Sequence, residues 1–103
     1  MKKLIDILPK ISQWESIKYS PDLDCKNGCS GFVGSNTRPD LIGWCDTPNG
    51  YQIVFECPTC FSKFRFHGSG GSNKFDIMTL EHTMQRYLYS CSNKDELLKK
   101  LNS

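Results

Sequence analysis

Two cysteine pairs are the residues of this chain best suited to chemistry: Cys25-Lys-Asn-Gly-Cys29 and Cys57-Pro-Thr-Cys60. Thiolates are soft ligands, and two short-spaced pairs can close four sulfurs around one tetrahedral ion while ordering only two turns. In small zinc-finger peptides such a site contributes about 10–16 kcal/mol of apparent folding free energy at neutral pH. That exceeds what the core of a 103-residue chain can be trusted to provide. With all four positions filled by thiolate, no place remains for water or substrate. The expected cofactor is therefore a structural zinc ion, held by Cys25, Cys29, Cys57 and Cys60.

Three other uses compete for these cysteines. Iron in a four-sulfur site takes the same ligands, and the ligand set alone does not separate it from zinc. His67 or Cys45 can replace one member of the first pair. Cys57-Pro-Thr-Cys60 also has the spacing of a thiol-redox pair, in which a helix N-terminus stabilises the first thiolate. Here the following residues alternate like a strand, so that helix dipole is not expected. Cys45 and Cys91 lie in apolar patterns, where a free cysteine behaves as a small buried hydrophobe.

The elements that must position the sulfurs follow from periodicity. Residues 2–19 carry Leu4, Ile5, Leu8, Ile11 and Trp14 at helical steps, interrupted by Pro9. The spacing predicts either a kinked helix or two short ones, with Ser12 and Glu15 as a capping box for the second. Residues 20–40, rich in Gly, Pro, Asn, Asp and Ser, read as irregular chain around the first cysteine pair. A hairpin follows: runs 41–45 and 51–55 flank the turn-like Asp46-Thr-Pro-Asn-Gly50. A third run, 61–67, alternates Phe64 and Phe66 on one face with Lys63, Arg65 and His67 on the other. Cys57-Pro-Thr-Cys60 thus connects two strands of a three-stranded antiparallel sheet. After a Gly/Ser joint at 68–73, Ile77, Leu80, Met84 and Leu88 mark a helix over 76–90. Asn93 and Glu96 have the spacing to start a last short helix.

Glu56-Cys-Pro-Thr-Cys60 followed by Phe61-Ser-Lys-Phe-Arg-Phe66 resembles the second knuckle of zinc-ribbon proteins. The resemblance covers residues 25–67 and implies a four-cysteine zinc β-ribbon with Cys25, Cys29, Cys57 and Cys60 as ligands. Two features depart from that pattern: the first pair is spaced C-x3-C, and no glycine follows Cys60. The expected fold class is α+β, a single domain over 1–103. In it an N-terminal helical segment (1–20) and C-terminal helices (74–101) flank the ribbon-like core.

Hydrophobic content of 38% and charged content of 23% suit a globular chain, and the net charge of +2 is too small to announce a polyanion partner by itself. No apolar run is long enough for a membrane span. Asp6, Pro9 and Lys10 break the stretch that would otherwise imitate a signal peptide, so a cytoplasmic location is expected. Catalysis finds little support: there is no phosphate loop, no open metal position and no carboxylate dyad, and His82 beside Glu81 reads as a solvated surface pair. The expected function is a non-catalytic binding or adaptor module engaging another macromolecule. A protein partner or self-association would use aromatic anchors such as Trp14, Tyr19, Tyr87 and Tyr89. Nucleic acid would use the stripe Lys63, Arg65 and His67, whose charges serve equally well to protect an exposed strand. No membrane partner or small-molecule substrate is expected.

Overall fold

The computed structural model describes residues 2–21, 23, 25, 27, 29, 38–66 and 76–103. His67 and the 68–73 joint lie outside the described residues. In chain order the elements are helix α1 (Leu4–Ile7), a 3-10 turn (Trp14–Ser16), strands β1 (Lys18–Tyr19), β2 (Asp40–Thr47), β3 (Gly50–Glu56) and β4 (Lys63–Phe66), and helices α2 (Ile77–Leu88) and α3 (Lys94–Leu101). The class is mixed α+β. No described helix is long and apolar enough to cross a membrane.

The sheet has four strands in the order β1-β4-β3-β2, not three antiparallel ones. Strands β2, β3 and β4 form the expected antiparallel meander, and β1 adds in parallel to β4, with Lys18 beside Phe64 and Tyr19 beside Arg65. A two-residue strand carries no periodic signal. It is held by the ladder to β4, with the Ser20 amide donating to the Arg65 carbonyl at 3.0 Å, and by the Arg65 side chain: its Nε donates to the Ile17 carbonyl at 2.9 Å, and its guanidinium lies 5.2 and 5.6 Å from the centroids of the Trp14 and Tyr19 rings. The hairpin turns tightly at Pro48-Asn49, where Thr47 Oγ1 accepts from the Asn49 amide and donates to the Gly50 carbonyl. Gly50 takes a φ of 102°, which its missing Cβ permits.

The N-terminal segment follows the second of the two expected arrangements in part: a short helix ends at Ile7, before Pro9, but the second helix is only a 3-10 turn. Beyond α1, residues 9–11 run extended along the edge of β2. The Trp44 amide donates to the Pro9 carbonyl at 3.2 Å, and the Ile11 amide to the Trp44 carbonyl at 2.8 Å. Pro9 lacks the amide a helix would use, while its carbonyl serves the sheet well. This close approach requires Gly43, where a Cβ would sit 2.6 Å from the Pro9 oxygen. Further along the β2 edge Asn93 occupies the position at Leu41, its carboxamide accepting from the Leu41 amide at 3.0 Å and donating to the Leu41 carbonyl at 2.9 Å. Asn93 therefore makes no side-chain cap on α3, because its amide group is spent as a mimic of a neighbouring strand.

Helices α1, α2 and α3 pack on one face of the sheet. Leu4, Leu41, Ile53, Phe55, Phe64, Phe66, Leu80 and Met84 form the main core there. A smaller cluster of Ile17, Cys45 and Val54 fills the other face beneath Trp14, Ile11 and Ile42. Asp76 caps α2 by accepting from the Thr79 amide at 2.7 Å. Glu81 is not the solvated residue its neighbour His82 suggested. It is 6% exposed, and its two carboxylate oxygens accept from the Leu4 and Ile5 amides at 3.0 Å each. Gln85 Nε2 donates to it as well, at 2.8 Å. One carboxylate on α2 thus satisfies the first free donors of α1, which is too short to hold itself together.

Replacing Glu81 by alanine strands two amides in the interior. The expected loss is about 1–3 kcal/mol, read as a lower urea midpoint at unchanged slope. Glu81→Gln, which keeps one acceptor, should fall between Glu81→Ala and the parent chain.

Candidate metal centre

Strand β3 delivers Glu56 and then Cys57, after which Pro58, Thr59 and Cys60 make the turn into β4. Two main-chain bonds close this knuckle: the Phe61 amide donates to the Cys57 carbonyl at 2.8 Å, and the Cys57 amide to the Ser62 carbonyl at 2.9 Å. The closure forces Phe61 to a φ of 62°, the left-handed region where glycine is the usual occupant. The absence of glycine after Cys60 thus has a structural consequence: a large aromatic residue occupies that position and is 67% exposed.

The first cysteine pair comes to this knuckle from the long loop. Leu23, at a φ of 59°, turns its side chain into the main core, and Cys25 follows it inward, 4% exposed. The Sγ atoms of Cys25, Cys29, Cys57 and Cys60 all lie within 4.8 Å of one another. A tetrahedron with metal–sulfur bonds of about 2.3 Å has edges of about 3.8 Å, so the cluster has the dimensions of a single-ion site. The four cysteines could hold a metal ion, and four sulfurs are compatible with zinc.

Asn27 and Ser62 complete the arrangement, and neither stood out in the sequence as more than a turn or strand residue. The Asn27 amide donates to Cys25 Sγ at 3.4 Å, and its carboxamide nitrogen to Cys60 Sγ at 3.4 Å and Ser62 Oγ at 3.3 Å. Ser62 Oγ lies 3.2 Å from Cys60 Sγ, and the Sγ atoms of Cys25 and Cys60 are 3.3 Å apart. Hydrogen bonds from the side chain and backbone of Ser62, with those from Cys25 and Asn27, hold the Cys60 thiol down at about 5. Burial, followed by the hydrogen bond and charge of Cys60, pushes Cys29 up to about 12. One sulfur is thus ready to be an anion and another resists becoming a second one. A cation among the four removes that conflict.

Cys45 and Cys91 stand apart from the cluster. Cys45 is fully buried in the small core on the opposite sheet face, and burial raises its thiol to about 11. Cys91 follows α2, where its Sγ donates to the Tyr87 carbonyl and burial raises it to about 12. Neither the turn after Cys57 nor β4 supplies the helix N-terminus on which a thiol-redox pair relies.

The residues nominated for binding separate into two groups. Arg65 is committed to Ile17, to the rings beside it and to Gln52 Oε1 at 2.6 Å, and Trp14 is committed to Arg65. Tyr87 packs edge-on against Phe66 and Phe55, with centroids 5.5 and 6.2 Å apart. Lys63 remains half exposed and pairs with Glu56 at 3.1 Å. No protein-family model matches the chain, and neither does any curated protein or solved structure.

Each ligand must lose its proton to bind metal, so apparent affinity should rise with pH and metal should leave as pH falls through the acid range. Competition with a chromogenic chelator at a series of pH values checks the direction. Phe61→Gly relieves the left-handed strain and should raise the unfolding midpoint of the metal-loaded protein by up to about 1 kcal/mol equivalent.

Proposed function

We propose that this chain is a zinc-stabilised, non-catalytic binding module that presents the surface around its four-cysteine centre to another macromolecule. The proposal rests chiefly on four sulfurs gathered within 4.8 Å at the end of the β3–β4 hairpin. An ion bound there has its coordination filled by the chain, which leaves it a structural part rather than a Lewis acid for substrate. Its work is to fasten the long loop to the sheet. The surface so fixed carries features that folding does not require, above all Phe61, a strained and exposed aromatic residue.

A protein partner anchored on Trp14 and Tyr87 is the less favoured form of this reading, because both side chains are engaged in intramolecular packing. Among the described residues, the aromatics left open to solvent are Phe61, Tyr89 and Tyr19.

Elemental analysis of freshly purified protein should find one zinc per chain. Chelation should then abolish the cooperative unfolding transition, and Cys25→Ser or Cys57→Ser should do the same without chelator. Protein that folds cooperatively with no bound metal would overturn the proposal, as would multiple turnover of a disulfide substrate by the Cys57/Cys60 pair.

A further inference from the structure

Each cysteine pair of the metal centre sends one sulfur inward and one toward solvent. Cys25 and Cys57 are buried, whereas Cys29 and Cys60 are only partly covered. A small solute can therefore reach two of the four sulfurs without unfolding the chain. The outer two differ in what they meet. The Cys29 thiol donates to the Asn27 carbonyl at a long 3.9 Å. Cys60 Sγ instead lies 3.3 Å from Cys25 Sγ, with Ser62 Oγ at 3.2 Å and Asn27 Nδ2 at 3.4 Å beside it.

The Cys25–Cys60 contact is shorter than the edge of about 3.8 Å that four zinc–sulfur bonds would set. It also crosses the site: one sulfur belongs to the loop and the other to the β3–β4 knuckle, 35 residues apart. A covalent S–S bond is about 2.05 Å long, so the two sulfurs need to close by only about 1 Å to reach it. Asn27 and Ser62, whose polar atoms touch Cys60 Sγ, also line a cleft of about 250 Å³. That cleft gives a small neutral oxidant an approach to the flank of Cys60, with the buried sulfur of Cys25 in contact behind it.

We propose that the four-cysteine centre is a reversible peroxide-sensitive switch in which Cys60 is oxidised, Cys25 resolves it, and a Cys25–Cys60 disulfide takes the place of the metal. This rests on the zinc-stabilised reading and adds a regulation to it. The Cys60 thiolate attacks one oxygen of hydrogen peroxide: an S–O bond forms, the O–O bond breaks, and the other oxygen leaves as hydroxide, which a proton converts to water. The Cys25 sulfur then attacks the Cys60 sulfur: the S–S bond forms, the S–O bond breaks, and the second oxygen departs as hydroxide and is protonated likewise. Two thiolates, one peroxide and two protons thus give one disulfide and two waters, with two electrons passing from sulfur to oxygen. Cys29 and Cys57 remain, and two sulfurs are too few to retain the ion. The bridge keeps loop and knuckle adjacent, so reduction by a dithiol returns the sulfurs to positions from which they can rebind it.

The test uses the zinc-loaded full chain, hydrogen peroxide in about tenfold excess, and a chromogenic chelator that reports free zinc. Release should run at least about fivefold faster than in a peroxide-free control. After free thiols are alkylated in denaturant, fragmentation mass spectrometry should place the bridge between Cys25 and Cys60. Cys29, Cys57 and the buried Cys45 and Cys91 should all be alkylated. Dithiothreitol with added zinc should restore the original metal content. Zinc retained through the peroxide treatment overturns the inference and leaves the module reading standing. So does a bridge between any other two cysteines, or oxidation that ends as sulfinic acid with no bridge. Protein that carries no zinc as purified strikes the module reading itself, and the inference with it.

Discussion

Four sulfurs at one end of a hairpin are the constraint on which the rest of the structure turns. Cys57 and Cys60 are local to a tight turn and need little help to approach one another. Cys25 and Cys29 are not: they belong to a loop with few apolar residues and no strand or helix of its own among the described residues. Among the described residues, Leu23 in the core and Asn27 against the sulfurs are contacts that direct the loop inward. Bringing four thiols together raises a charge conflict visible in the opposite displacements of Cys60 and Cys29. A divalent cation bound among the four sulfurs would resolve that conflict and tie the loop to the hairpin.

Away from the centre, single polar side chains hold elements that are too short to hold themselves. Glu81 caps α1, Asn93 completes the ladder beside Leu41, and Arg65 secures β1. Each is wholly or partly buried, and each meets main-chain groups that would otherwise be unpaired. Buried backbone donors and acceptors are costly to leave unsatisfied, so a few side chains of this kind can decide the path of a long terminal segment. The same devices protect the sheet. Residues 9–11 and Asn93 cover the β2 edge at Trp44 and Leu41, and the opposite edge is a strand of two residues.

The structural demands and the surface of the centre pull in different directions at one residue. The knuckle that closes around Cys57 and Cys60 requires a left-handed residue after the second cysteine. Glycine meets that requirement at least cost, and phenylalanine meets it poorly while exposing a ring. The strain at Phe61 thus sits on an exposed position directly beside the cysteine centre.

The sequence by itself determined the four candidate ligands, the β2–β4 meander with Phe64 and Phe66 turned inward, and the amphipathic α2, because each is encoded in residue type and short spacing. Only the tertiary structure decided that residues 2–19 give a four-residue helix and an extended arm, that a parallel strand joins β4, and that Glu81, Asn93 and Arg65 serve as internal fasteners. These depend on partners distant in sequence: Leu4 and Glu81, Leu41 and Asn93, Ile17 and Arg65. Periodicity reports which face of an element is apolar. It is silent on which backbone group, dozens of residues away, a polar side chain will meet, since that pairing exists only once the chain is packed.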